Sequence, residues 1–249
     1  DSTGIATMEG SRFSMHKSKG RVTQAYRTRD MRALLGNIGL GHVRYATKGF
    51  ADREEEAQPF YVNAPYGIVL VHNGNLTNTR ELEKELFTTD RRHTNTSSDT
   101  EMLLNVFANE LQMQVTGPTL TPDQVFNSIQ LVHQRVQGSY AAISLIAGHG
   151  LVAFRDPYGI RPLVLGKRLS ESNEPEWIIA SESLVLENGD YQIVRDVLPG
   201  EAIFISANGE FFSKRCAPNS QLVPCSFEYV YLARPDSVMN GISVYEARL

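Results

Sequence analysis

The sequence has 249 residues, with 24 Lys or Arg against 28 Asp or Glu and a formal net charge of −4. This balance excludes a protein that binds nucleic acid through bulk positive charge. Hydrophobic residues make up 41% of the chain, enough for a sizeable core, and no run of about 18 apolar residues predicts a membrane span. The chain starts at Asp1 without a basic or apolar leader, and two cysteines are too few for a disulfide framework, so we expect a cytoplasmic protein.

Short apolar runs bounded by turn residues predict a series of strands. The predicted strands cover residues 38–45, 67–72, 140–146, 151–154, 162–166, 177–180, 202–205 and 210–214. Two glycine-containing segments, 148–150 and 207–209, separate neighbouring strands and predict hairpin turns. The strand at 67–72 is expected to stop where its apolar run meets Asn73, Gly74 and Asn75.

Three helices are predicted in the middle of the chain, each from a polar cap followed by apolar residues at helical spacing. They begin after Asn78, Ser98 and Thr121, and Thr121 is followed by Pro122, a residue favoured at the first helical position. A glutamate or glutamine three residues after each cap would complete a capping box. Because strands lie on both sides of these helices, we predict an α+β fold with largely antiparallel sheets.

Asn73 and Gly74 lie at the polar tip of an otherwise apolar strand. A side-chain amide next to a backbone N–H offers two donors that can hold a developing oxyanion. The alternative is a plain hairpin turn, since Asn-Gly is the strongest short hairpin signal.

Arg44 and Asp99 offer opposite charges for the two ends of an amino acid. Arg44 can bind a carboxylate through its guanidinium, although a lone arginine at a strand end is more often a surface residue. Asp99 can pair with an ammonium, although an acidic residue in a first helical turn mostly stabilises the helix start. Together with Asn73 and Gly74, they describe a site for an α-amino acid whose distal carbonyl is attacked, and glutamine amide hydrolysis matches that description.

Three segments, residues 42–45, 72–75 and 96–101, resemble motifs of the class II glutamine amidotransferases, which are N-terminal-nucleophile hydrolases. The resemblance implies an αββα sandwich of two antiparallel sheets. It also implies that Arg44, Thr47 and Asp99 bind the substrate glutamine. Asn73 and Gly74 would form the oxyanion hole.

Three further segments, residues 56–60, 154–163 and 227–237, are more specific. They resemble the glutamine phosphoribosylpyrophosphate amidotransferase family, whose reaction is the first committed step of purine synthesis. The segment 45–56 matches a loop that closes on glutamine in this family. Because residues 52–56 are all charged, we expect that part of the loop to be a solvated tip.

Two parts of the family pattern are absent from the sequence, and we expect the chain to be trimmed at both ends. The family's nucleophile is an N-terminal Cys whose own α-amino group serves as the base, and no such Cys is present. Cys216 and Cys225 are interpreted as structural or incidental, and two thiolates are too few for an iron–sulphur cluster. We assign residues 1–225 to the glutaminase domain and residues 226–249 to the start of a connection to a phosphoribosyltransferase domain.

The resemblance implies a parent enzyme that hydrolyses L-glutamine and transfers the ammonia to phosphoribosyl pyrophosphate, giving 5-phosphoribosylamine. The second domain would bind phosphoribosyl pyrophosphate and Mg²⁺. For this chain we expect no metal or other cofactor, no nucleic acid and no membrane, and for the parent enzyme a homo-oligomer. Without its nucleophile the chain alone is expected to be inactive. The alternative is a non-catalytic amidotransferase-like module that binds an amino acid or a partner protein.

Overall fold

The computed structural model describes residues 2–44 and 54–249 of the chain. Thr47 and most of the predicted loop 45–56 therefore lie outside the described residues. The strands are β1 (Ser2–Glu9), β2 (Arg12–Lys19), β3 (Ile38–Arg44), β4 (Phe60–Val62), β5 (Ile68–Leu76), β6 (Gly138–Ile146), β7 (Gly150–Arg155), β8 (Val164–Leu169), β9 (Pro175–Ala180), β10 (Gln192–Asp196), β11 (Glu201–Ser206), β12 (Phe211–Arg215), β13 (Val238–Met239) and β14 (Ile242–Ser243). The α-helices are α1 (Val22–Ala25), α2 (Thr28–Ala33), α3 (Thr79–Glu85), α4 (Asp99–Gln114), α5 (Pro122–Arg135), α6 (Ser183–Asn188) and α7 (Val244–Ala247), and shorter helical turns cover Glu54–Glu56, Leu86–Asp90 and Glu228–Leu232.

The described strands form one large sheet, two small sheets and a short hairpin. The six-stranded sheet has the order β12-β11-β7-β6-β5-β4, and the three-stranded sheets have the orders β2-β1-β3 and β10-β8-β9. Every described strand pair is antiparallel. The predicted α+β class with antiparallel sheets is confirmed. None of the helices in the described ranges is long and apolar enough to cross a membrane.

The two faces of the six-stranded sheet are covered by different layers. Successive residues of a strand point to opposite faces, and β5 follows this rule. Leu70 packs with Phe107 of α4 and Ile129 of α5 in the main hydrophobic core. Val71 packs on the other face with Leu40 of β3, which belongs to the first three-stranded sheet.

The second three-stranded sheet lies on that same face and has a helix outside it. Leu165 of β8 packs with Ile203 of β11. The next residue, Gly166, points outward, where a Cβ would lie 2.5 Å from Cδ2 of Leu186 in α6. The layers therefore follow the order helix, sheet, sheet, helix, as the αββα expectation requires.

The strand that carries Asn73 and Gly74 does not stop at them. Strand β5 continues to Leu76, with Asn73 opposite Ala141 and Gly74 opposite Tyr140 of β6. The predicted strand end was wrong, and so was the hairpin alternative. Gly74 has φ +152°, and a Cβ there would lie 2.0 Å from the Ser139 carbonyl oxygen, so the close approach of β6 requires glycine.

One of the three predicted capping boxes is present. Thr121 and Gln124 cap α5 reciprocally, as predicted. Helix α4 starts after Ser98, but the Ser98 side chain makes no cap bond, and Glu101 instead accepts hydrogen bonds from the backbone of Asn95 and Thr96. The Asn78 side chain also turns away from its helix.

Asn78 instead bridges two backbone groups near the end of α5. Its Nδ2 donates to the Arg135 carbonyl at 2.9 Å, and its Oδ1 accepts from the Gln137 N–H at 3.0 Å.

Both predicted glycine turns are confirmed as connections between paired strands, β6 with β7 and β11 with β12. The sequence patterns did not predict β2, β4, β10, β13, β14, α1, α2, α6 or α7.

Candidate active site

An open cleft of about 780 Å³ lies at one end of the facing sheets. Its walls come from the ends of β3 and β5, the first turn of α4 and the helical turn Glu228–Leu232. Four of the five residues predicted to bind or activate the substrate line it, namely Arg44, Asn73, Gly74 and Asp99. The fifth, Thr47, lies outside the described residues.

His42 and Asn73 meet inside this cleft, between the two sheets. Leu40, His42 and Arg44 alternate along β3 and therefore share a face, and Val71 and Asn73 share a face of β5 in the same way. Because Leu40 and Val71 pack against each other in the core, the polar residues that follow them also face each other. The ring Nε2 of His42 lies 3.0 Å from Oδ1 of Asn73.

The Gly74 N–H is directed away from β6. Both backbone groups of its partner Tyr140 are bonded to Asp156, since the Tyr140 N–H donates to the carboxylate at 3.2 Å and the Tyr140 carbonyl accepts from the Asp156 N–H at 2.8 Å. Backbone groups of an antiparallel strand alternate in direction, so Gly74 and Tyr140 form a pair without hydrogen bonds between them. Two residues earlier, the N–H and carbonyl of His72 also face away from β6, bonded to the Gln58 side chain at 2.6 and 3.0 Å.

Arg44 is paired with a buried carboxylate in the described structure. Its Nη2 lies 3.0 Å from Oε2 of Glu56, which is 3% exposed. The expectation that the charged run to residue 56 is solvated was therefore wrong for Glu56. The physical reason is this ion pair, since a buried carboxylate needs a charged or hydrogen-bonding partner.

Asp99 connects the start of α4 to the end of β5. Its Oδ2 accepts a hydrogen bond from the Leu76 N–H at 3.1 Å, and its Oδ1 lies 3.9 Å from Nδ1 of His72. Burial lowers the pKa of His72, while the Asp99 carboxylate acts in the opposite direction. The Asp99 carboxylate lies at the cleft surface, with its side chain 26% exposed.

Another part of the cleft wall carries a second ion pair. Arg161 and Glu228 both line the cleft, with Nε and Oε1 2.8 Å apart. Burial raises the pKa of Glu228, and the neighbouring Arg161 opposes that shift. This pair links the segment after β7 to the helical turn Glu228–Leu232.

Neither cysteine of the chain is among the described residues that line the cleft. Cys216 is buried, and that burial raises its pKa to about 12, which disfavours a thiolate. Cys225 donates its backbone N–H to the Ile160 carbonyl. Ser2, the first described residue, lies opposite Arg44 at the cleft end of β1.

Sequence reasoning did not assign roles to several residues of the cleft. These are His42, Glu56, Gln58, His72, Thr100, Arg161 and Glu228. For His42 a signal was available, because Leu40, His42 and Arg44 alternate on one face of a predicted strand. No such pattern marks Glu56 or Gln58, whose positions depend on pairing with distant residues.

Comparison with known proteins gives relatives for the whole chain. The family described as the glutamine amidotransferase domain matches residues 42–188. The amidophosphoribosyltransferases of Pasteurella multocida and Escherichia coli are each 51% identical to the chain over 250 residues, covering 100% of the chain and 49% of the relative. The chain thus spans about half the length of these relatives.

Solved structures agree with the sequence comparison. The glutamine phosphoribosylpyrophosphate amidotransferase of B. subtilis, solved with ADP and GMP, matches with a TM-score of 0.80 and 31% identity over 99% of this chain and 50% of that one. A class II glutamine amidotransferase domain protein from Silicibacter pomeroyi shares the fold, with a TM-score of 0.54 at 16% identity over 87% of this chain and 92% of that one. The family match to residues 42–188 covers more than half of this chain, and the chain therefore belongs to the glutamine amidotransferase domain family.

Proposed function

We propose that the cleft binds glutamine, and that the intact protein hydrolyses its side-chain amide and transfers the ammonia to phosphoribosyl pyrophosphate. One observation carries this proposal. Asn73 and Gly74, as hydrogen-bond donors, line the same cleft as the cationic Arg44 and the anionic Asp99. This set matches the parts of glutamine, namely a carboxylate, an ammonium and a distal amide carbonyl.

The two charged residues bind the end of glutamine that does not react. The Arg44 guanidinium takes the carboxylate, with Glu56 holding it in place from the other side. The Asp99 carboxylate takes the ammonium while one of its oxygens stays bonded to the Leu76 N–H. These contacts orient the side-chain amide toward Asn73 and Gly74.

The chemical step is attack of a thiolate on the amide carbon. As in the N-terminal-nucleophile hydrolases that the chain resembles, the α-amino group of an N-terminal Cys takes the thiol proton and gives it to the leaving ammonia. The carbonyl oxygen becomes an oxyanion, which accepts hydrogen bonds from the Asn73 side-chain amide and the Gly74 N–H. Water then hydrolyses the thioester and releases glutamate.

The acceptor half of the reaction is proposed for the part of the intact protein outside this chain. The relatives named amidophosphoribosyltransferase are about twice as long as the chain. By the same resemblance, that part would bind phosphoribosyl pyrophosphate with Mg²⁺. Ammonia supplied from solution should therefore react in that part of the protein without passing through the glutamine cleft.

Asp99→Asn in the intact protein tests this proposal. The substitution removes the negative charge but keeps an oxygen that can accept the Leu76 N–H, so the fold should be retained. We expect the KM for glutamine to rise about tenfold or more, since a charge-assisted contact contributes about 1.5–3 kcal/mol. The rate with ammonium chloride in place of glutamine should be unchanged.

Glu83→Gln is the matched control, because Glu83 is an exposed acidic residue on the cleft rim. It should leave both reactions unchanged. Equal loss of glutamine-dependent and ammonia-dependent activity in a folded Asp99→Asn protein would contradict the assignment. Binding of glutamine without ammonia release by the intact wild-type protein would favour the non-catalytic module.

A further inference from the structure

We propose that His42 is a positioning residue, which fixes the Asn73 side-chain amide with its NH₂ group toward the cleft. The inference rests on the proposed function, because it concerns the donor that Asn73 offers to the oxyanion. His42 itself does not need to touch the substrate. Its effect is exerted through Asn73.

The contact between the two side chains determines which way the Asn73 amide faces. Nε2 of His42 lies 3.0 Å from Oδ1 of Asn73. An amide whose oxygen is bonded to His42 presents its nitrogen, with two N–H donors, on the other side. An amide turned by 180° would present an acceptor to the oxyanion, which would repel it.

The second ring nitrogen of His42 indicates which tautomer is present. Nδ1 is buried and has no hydrogen-bond partner among the described residues. A proton on Nδ1 would leave a buried N–H donor unpaired, and unpaired buried donors are rarer and more costly than under-satisfied acceptors. A proton on Nε2 instead donates to Asn73 Oδ1, so this tautomer and this amide orientation stabilise each other.

The surroundings of His42 keep the ring in its neutral form. Desolvation by burial is the main cause that lowers the pKa of His42 to about 4; the hydrogen bond with Asn73 acts in the opposite direction, and the nearby His72 and Arg44 make smaller contributions that lower it. At neutral pH the ring is therefore a single-donor imidazole. A neutral ring with a defined tautomer can hold a neighbouring amide without adding charge next to the oxyanion.

A double-mutant cycle in the intact protein tests this role. His42→Leu introduces an apolar side chain and removes the donor, and His42→Gln keeps an N–H donor at a similar reach. We expect His42→Leu to lower the glutamine-dependent kcat by about tenfold, a part of the roughly 10²–10³ lost with a whole oxyanion donor. The KM should change little, and His42→Gln should restore kcat to within about threefold of the wild type.

The combination with Asn73→Ala separates a positioning role from a structural one. In the Asn73→Ala background, His42→Leu should lower kcat by less than about twofold, because the amide that it positions is gone. His133→Leu, at another buried histidine outside the cleft, controls for the loss of a buried ring and should leave kcat unchanged. The wild-type rate with ammonia should persist in every variant.

The outcomes of the cycle distinguish a positioning role of His42 from a structural one, and both from a failure of the oxyanion assignment. Equal kcat losses from His42→Leu with and without Asn73→Ala would overturn the positioning role, as would a normal kcat in His42→Leu. If Asn73→Ala itself has a normal kcat, the oxyanion assignment of the proposed function fails, and the role of His42 fails with it. A low kcat in Asn73→Ala with a normal one in His42→Leu refutes only the role of His42.

Discussion

Two polar clusters in this molecule differ in how completely their hydrogen bonds are satisfied. The first, which we call the loop anchor, consists of Arg155 and Asp156. Arg155 is 1% exposed and donates to the carbonyls of Arg161, Val197 and Gly159 at 2.7, 2.6 and 2.7 Å. Asp156 is fully buried and accepts from three backbone N–H groups.

The second cluster, the cleft cluster of His42, Arg44, Glu56 and Asn73, is only partly satisfied. Nδ1 of His42 and Oε1 of Glu56 are buried without a partner among the described residues. A buried network with unmet groups costs stability, whereas a complete one makes a structure rigid. The loop anchor therefore contributes to the stability of the fold, whereas the cleft cluster leaves hydrogen-bonding capacity unused among the described residues.

The largest loss of glutamine-dependent kcat is expected from Gly74→Ala, which tests whether the reaction depends on the position of the Gly74 N–H in β5. A Cβ at this position would lie 2.0 Å from the Ser139 carbonyl oxygen. The strand must shift, which displaces the Gly74 N–H and should lower the glutamine-dependent kcat by about 10²-fold or more. Steady-state kinetics with glutamine and with ammonia would show the first reaction lost and the second retained.

Gly159→Ala provides the matched comparison in the loop anchor. Gly159 has φ +56°, and a Cβ there would lie 3.1 Å from Cζ of Arg155. It should lower the unfolding midpoint but leave the kcat of the folded fraction within about twofold. If Gly159→Ala were the more damaging to kcat, the division between the two clusters would be wrong.

Arg155→Leu should have the largest effect on stability. It leaves three buried carbonyls without their donor, and we expect the free energy of unfolding to fall by about 3–5 kcal/mol. Denaturant titration followed by circular dichroism measures this loss. Arg29→Ala, at an exposed arginine paired with Asp30, is the control and should leave the midpoint nearly unchanged. Equal midpoints for both variants would show that the loop anchor is not a stabilising unit.

Arg44→Ala should weaken substrate binding, and because it leaves the buried Glu56 carboxylate without its partner it should also lower the unfolding midpoint. Loss of a charge-assisted contact to the glutamine carboxylate should raise the KM for glutamine by about 10- to 100-fold, with a smaller change in kcat. Arg80→Ala is the control, because Arg80 is an exposed arginine on the cleft rim. An unchanged KM in Arg44→Ala would remove Arg44 from the glutamine site.

A pH dependence of stability is expected from two histidines, one in the cleft cluster and one outside both clusters. Burial lowers the pKa values of His42 in the cleft and His133 in the core to about 4. Below about pH 6.5 the unfolded chain binds a proton at each ring that the folded protein does not bind. Stability is therefore fully present above pH 6.5 and is lost as the pH falls toward 4.

Thermal unfolding at pH 7 and pH 5 would measure this contribution. The fall in the unfolding midpoint between the two values should be smaller in His133→Gln and in His42→Gln than in the wild type. An identical fall in all three proteins would show that neither histidine is held neutral in the fold.

Local patterns in the sequence predicted the parts of the fold that local chemistry decides. The cap of α5 depends on Thr121 and Gln124, which lie on the same turn, and the hairpin between β6 and β7 depends on glycines inside the turn. The polar residues that follow the apolar run of β5 also identified Asn73 and Gly74 as cleft residues. For the helix cap and the hairpin, the deciding contacts are close in sequence.

Contacts between distant segments explain what the sequence did not predict. Glu56 looks like part of a solvated charged run, and only its pairing with Arg44 accounts for its burial. Strand β5 continues past Gly74 because β6, more than 60 residues away, pairs with it along its whole length. The contact of His42 with Asn73 likewise exists only once the two sheets face each other.

The central claim is that Asn73 donates to an oxyanion rather than shaping the backbone, and the kcat of Asn73→Asp in the intact protein tests it most directly. Aspartate keeps the size of the side chain but offers no NH₂ and places a negative charge beside the developing oxyanion. We predict that the glutamine-dependent kcat falls by about 10²–10³ or more, while the unfolding midpoint and the ammonia-dependent rate stay near those of the wild type. A near-normal glutamine-dependent kcat in Asn73→Asp would contradict the account.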